Sequence, residues 1–154
     1  MRTETTDIEA LLDAIAKVAS NNRPNKRGPR GEFTAFQFTK EMWEYHYPLS
    51  YYDFKEEDRP GIARVVAKKR LEWINEHLPD RFKNHPFWVG VWWKHMRQRC
   101  KKPFWTRRCV PRYTLPFADR VMIAYRNIKH RQLIEEREAK AKTTEPVRPE
   151  VAPV

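Results

Sequence analysis

Prolines decide how far any regular element of this chain can run. Seven of its 12 prolines, at positions 48, 60, 79, 86, 103, 111 and 116, punctuate the stretch that holds most of its aromatic residues. Inside a helix a proline loses a hydrogen bond and clashes with the preceding turn, but it fits the first turn well. The chain is therefore expected to form helices that start or stop at these positions. Pro48 stops a short helix capped by Thr39 and carrying Met42, Trp43 and His46. Pro60, preceded by Glu56, Glu57 and Asp58, opens a helix from about Arg59 to Leu78, which Pro79 ends. Pro86 opens another, with Val89, Trp92, Trp93, Met96 and Cys100 at helical spacing, and Pro116 opens the last, with Phe117, Val121, Ala124, Tyr125 and Ile128 on its apolar side.

Ahead of these, Thr6-Asp7 offers an N-cap to Ile8, Leu11, Leu12, Ile15 and Val18, a helix ending near Ser20. The 154 residues suit one modest core. The expected organisation is an N-terminal amphipathic helix over 1–20, a flexible basic linker over 21–32, a helical core over 33–140 and a disordered tail over 141–154. The fold class is mainly α, with at most a short β element, for which Phe33, Phe36 and Phe38 are the candidates. Along the Arg59–Leu78 helix, Arg64, Lys68, Lys69, Arg70 and Glu72 are expected on the solvated faces.

Charge points to function. The chain carries 31 Lys and Arg against 20 Asp and Glu, a net charge of +11. From Arg81 to Ala118 there is no carboxylate, while Arg81, Lys83, Lys94, Arg97, Arg99, Lys101, Lys102, Arg107, Arg108 and Arg112 are basic. A solvated face normally mixes signs, so a local excess of this kind indicates a site for a polyanion. Basic side chains displace counterions from phosphates, and aromatic rings stack on exposed bases. The expected nucleic-acid contacts are Lys94, Arg97, Lys101, Lys102, Phe104, Trp105, Arg107, Arg108, Arg112 and Tyr113. Trp92 and Trp93 are assigned to the core. A second, weaker basic arm comprises Arg23, Lys26, Arg27 and Arg30.

Other chemistry is poorly represented. His85, His95, Cys100 and Cys109 lack the paired spacing of a zinc site. Asp53, Glu56, Glu57 and Asp58 abut a proline-led helix start, where capping and the helix dipole account for them. No phosphate loop, nucleophile elbow or His-centred triad occurs, so no catalytic residue, metal or cofactor is expected. Two cysteines form no disulfide framework, no apolar run reaches the ~20 residues of a membrane span, and the N-terminus lacks signal-peptide features, so a cytoplasmic protein with no membrane partner is expected.

The stretch "LEWINEHLPDRFKNHPFWVGVWW" resembles the FinO/ProQ family of RNA-binding proteins. The likeness lies in an apolar helix, the Pro-x-x-Phe turn Pro79 to Phe82, the segment Pro86-Phe87-Trp88-Val89-Gly90-Val91, and "RYT" at Arg112 to Thr114. It spans about residues 70–114 and departs from the family at Pro103 and Pro111 and throughout Phe33 to Phe54. The resemblance implies a helical domain binding structured RNA on a basic concave face, through Lys94, Arg97, Arg112, Tyr113 and Thr114. The leading expectation is a non-enzymatic binder of RNA or single-stranded DNA. The alternative is a small phage- or plasmid-type adaptor or inhibitor that docks on an acidic surface of a larger replication, transcription or defence machine, with Trp88 or Trp105 as anchor.

Overall fold

The computed structural model describes residues 6–94 and 110–143. Among these there are five α-helices, α1 (Ile8–Ser20), α2 (Lys40–His46), α3 (Arg59–His77), α4 (Pro86–Lys94) and α5 (Leu115–Thr143), and no strand. The mainly α class holds. Local chemistry explains the starts and stops. The Asp7 carboxylate accepts from the Ala10 amide and the Thr39 hydroxyl from the Met42 amide, each relieving an unpaired donor in a first turn. Asn21, left-handed at φ 57°, closes α1. At α3 the Asp58 side chain forms no cap, so Pro60 and the acidic turn Glu56–Asp58 act there through backbone geometry and the dipole.

Helix α4 is the centre of the molecule. All seven residues from Phe87 to Trp93 are buried, so its described part has no solvated face. α5 packs along both α1 and α4. At Gly90 the crossing with α5 is so close that a Cβ would lie 2.9 Å from the Ala118 Cα. On its other sides, Trp92 meets Trp73 and His77, Trp93 meets Phe36 and Phe38, and Trp88 lies 4.8 Å from the Phe82 ring. Trp92 and Trp93 are core, as expected. Trp88 is buried too and unavailable as an interaction anchor.

Arg70 corrects the expectation for α3. It is 3 % exposed, and its guanidinium donates to the Trp92 and Trp93 carbonyls at 3.3 and 3.1 Å. It also lies over the Trp73 and Trp93 rings. Burial pushes it down to about 10, which still leaves it charged at neutral pH. A cation in this place satisfies carbonyls near the end of α4.

The Phe33–Phe38 stretch is a tight turn closed by one isolated antiparallel bridge. Thr34 (φ 72°) and Gln37 (φ 53°) adopt left-handed backbone, which breaks a strand and turns all three phenylalanines inward. Gln37 Nε2 donates to the carbonyls of Thr34 and Lys26, both at 2.8 Å. Buried Ser20 donates to Ala35 O at 2.7 Å and accepts from the Arg23 amide at 3.1 Å. The first half of the 21–32 linker, at Arg23 and Lys26, is thus tied to the core, and the linker runs as a series of turns. α5 continues to Thr143, and beyond Lys129 its side chains are exposed apart from Gln132.

Candidate nucleic-acid interface

Lys94 ends the described part of α4, where the chain enters residues 95–109. Its ammonium sits over the Phe117 ring, 4.9 Å from the centroid. Burial of that end lowers its pKa; Glu32 acts the other way, and Arg30 and Lys26 add repulsion. Lys26, Arg30 and Glu32 of the linker, 62 residues or more from Lys94 in sequence, therefore act on it electrostatically. Linker turns set this up. The Gly28 amide donates to Glu32 O at 2.9 Å, and the Glu32 carboxylate accepts from the Arg30 amide at 3.0 Å. Gly28 lets the Glu32 carboxylate and Gln37 Oε1 sit close to the linker backbone, where a Cβ would displace both side chains.

The expected contacts divide as follows. Lys94, Arg112 and Tyr113 are described, and all three expose surface, although the Lys94 ammonium end is partly desolvated over Phe117. Arg112 and Tyr113 lie on the 3-10 turn Arg112–Thr114, which packs against α4 and leads into α5. Arg97, Lys101, Lys102, Phe104, Trp105, Arg107 and Arg108 lie outside the described residues, as do Met96, Arg99, His95, Cys100 and Cys109. No basic ridge runs along the described part of α4, whose only cation is Lys94. Thr114, implicated by the family resemblance, is fully buried, and its hydroxyl donates to Pro111 O at 2.7 Å. Lys83 is occupied as well: its ammonium reaches the Asn75 and Leu78 carbonyls at the end of α3.

Some cations pair with acids between elements. Arg64 pairs with Glu9 and Asp13, Lys68 with Glu9, and Lys129 with Asp7, joining α1 to α3 and α5. Lys26, Arg27, Arg30, Lys94 and Arg112 have no carboxylate at ion-pair distance among the described residues. Nor do three His, Cys, Asp or Glu side chains converge there in a metal-binding cluster. No described helix is long and apolar enough to cross a membrane. Two charged residues that charge counting along the sequence passes over, one acidic and one basic, belong to this surface. Glu32 sets the orientation of the linker beside Lys94, and Arg59 stands with Arg27 at the ring of Tyr52. Their sequence neighbours are acidic or aromatic, and only the tertiary fold brings them to the linker. No protein-family model, curated protein or solved structure matches the chain.

Proposed function

We propose that this protein binds nucleic acid without catalysing a reaction on it. Its basic face would hold the phosphate backbone through Lys26, Arg30, Lys94, Arg112 and the cations that follow Lys94 in sequence. The observation that carries this reading is the gathering of Lys26, Arg27 and Arg59, from the linker and the start of α3, around one cleft that no carboxylate lines. Unpaired like charges repel one another, and a polyanion relieves that repulsion. Phe104, Trp105 and Tyr113 supply rings for stacking, which favours RNA or single-stranded DNA over a sequence-read duplex. The FinO/ProQ resemblance favours RNA within that pair.

A salt-series binding assay against single-stranded RNA, duplex RNA, single-stranded DNA and duplex DNA tests this. The expected result is a slope of log K against log salt of about −0.7 for each phosphate contacted on a single strand. Arg107→Glu with Arg108→Glu abolishes binding, and Lys26→Glu with Arg30→Glu weakens it. Salt-independent binding, or unchanged affinity in both double variants, refutes the reading. Partners that persist in pull-downs after nuclease treatment would favour the adaptor instead.

A further inference from the structure

We infer that a cleft beside the linker is a dedicated phosphate subsite for the same nucleic-acid strand, an inference that rests on the nucleic-acid reading above. The cleft has a volume of about 120 Å³ and is lined by Lys26, Arg27 and Arg59, with Tyr51, Tyr52 and Phe33 as its aromatic surfaces. No carboxylate lines it. The guanidinium carbons of Arg27 and Arg59 both lie 5.4 Å from the centroid of the Tyr52 ring. Arg59 is also 5.6 Å from that of Tyr51. Cation–π contacts of this kind hold a guanidinium in place without neutralising it. Arg59 is fixed further by donating from Nε to Phe54 O at 3.1 Å and from Nη2 to Tyr52 O at 3.3 Å. Those two bonds leave N–H groups of its fork unspent.

Three cations thus surround a small cleft, two of them oriented by aromatic rings and none neutralised by a carboxylate at ion-pair distance. A phosphodiester suits this chemistry. It carries one negative charge, its oxygens accept forked donors from arginine, and its size matches the cleft. Lys26 belongs to two places at once, since it lines the cleft and acts on Lys94. A strand running from Lys94 past Lys26 would reach the cleft without leaving the cationic surface. Carboxylates do stand nearby in sequence: Asp53, Glu56, Glu57 and Asp58 follow Tyr52, and Glu56 acts on Tyr51. They leave a single anionic strand a bounded track, entering by the linker side.

The test compares the full chain with Arg27→Glu, Arg27→Lys, Tyr52→Phe and Tyr52→Leu, using a fluorescent single-stranded RNA oligonucleotide over a salt series. Arg27 is exposed and makes no hydrogen bond among the described residues, so its replacement leaves the fold intact, checked by an unchanged melting temperature. Arg27→Glu is expected to weaken binding about tenfold, the loss of one charge-assisted contact, and to make the salt slope shallower by about 0.7. Arg27→Lys and Tyr52→Phe keep most of the affinity, whereas Tyr52→Leu lowers it. If the unaltered chain binds while Arg27→Glu keeps both affinity and slope, the subsite is overturned and the general reading stands. If the unaltered chain binds no nucleic acid, both fall. Binding to poly-glutamate of equal charge, weakened equally by Arg27→Glu, would also overturn a phosphate subsite.

Discussion

Acid is expected to loosen the seating of α4 through a single imidazole. His46 Nε2 lies 3.2 Å from Nη1 of Arg70, so the neutral ring accepts and the guanidinium donates. Protonation destroys that acceptor and sets a second cation against the first. Burial, followed by the charges of Arg70 and Lys69, holds His46 down to about 4 against an ordinary 6.5. Because the folded value is the lower one, the unfolded chain takes up the proton first as pH falls. The contribution is complete above pH 6.5 and drains away as pH drops towards 4. At about 1.36 kcal/mol per pH unit, the full loss would be about 3.4 kcal/mol, of which roughly 2 kcal/mol is gone by pH 5. The ring is only half-buried, so solvent screening reduces that to about 1 kcal/mol. Urea unfolding at pH 7 and pH 5 measures it, with His46→Gln as reference, since glutamine can accept from Arg70 but cannot protonate. The unaltered chain should lose about 1 kcal/mol more than the variant. His85, also lowered by burial and by Arg126, titrates in both proteins and cancels in the comparison. Equal losses in the two would refute the argument.

Gly90→Ala should cost about 1–3 kcal/mol, because the new Cβ meets the Ala118 backbone and forces α4 and α5 apart; an unmoved thermal midpoint would contradict the close crossing. Ser20→Ala strands the Ala35 carbonyl and the Arg23 amide at a cost of about 1–3 kcal/mol, and should speed amide exchange at Arg23; unchanged exchange there would mean the linker is held by other contacts. Glu9, hydrogen-bonded by Lys68 and Arg64, should titrate near 2 when its carboxyl is followed by carbon NMR, and Lys68→Met should raise that midpoint; an ordinary midpoint in the unaltered chain would deny the pairing.

Helix boundaries were legible because they are local events. Asp7 and Thr39 cap within three residues, and Pro48, Pro60, Pro79, Pro86 and Pro116 restrict the backbone where they stand. Arg70 was misplaced although its spacing was informative. Val66, Arg70 and Ile74 succeed one another at four-residue steps, on the face that is buried, and the charge of the side chain obscured the period. The turn at Phe33–Phe38 carried no glycine or asparagine to announce its left-handed residues, Thr34 and Gln37. The site was half legible. A shortage of carboxylates marked the region after Arg81, yet the approach of Lys26 and Arg30 to Lys94 depends on Gln37 and Ser20 tying the linker down, contacts that no periodicity encodes.

Charge is sorted by position in this fold, and the sorting limits what the basic surface can be for. Where helices must hold to one another, cations meet acids: Arg64 and Lys68 reach Glu9, and Lys129 reaches Asp7. Exposed pairs of this kind add little to stability, but they cancel charge. Around Lys94 the cancellation is partial: Glu32 opposes the repulsion from Arg30 and Lys26. Glu32 is the one carboxylate acting there, and its side chain is engaged with the Arg30 amide. A protein that needed positive charge only to stay soluble would gain as much from cations spread over its surface, with less mutual repulsion. Crowding Lys26, Arg30 and Lys94 together, and keeping Arg27 and Arg59 unneutralised beside them, opposes folding unless a multiply charged anion offsets it. On the function proposed above, that anion would be a flexible chain of regularly spaced phosphates, running from the end of α4, along the linker, to the tyrosine cleft.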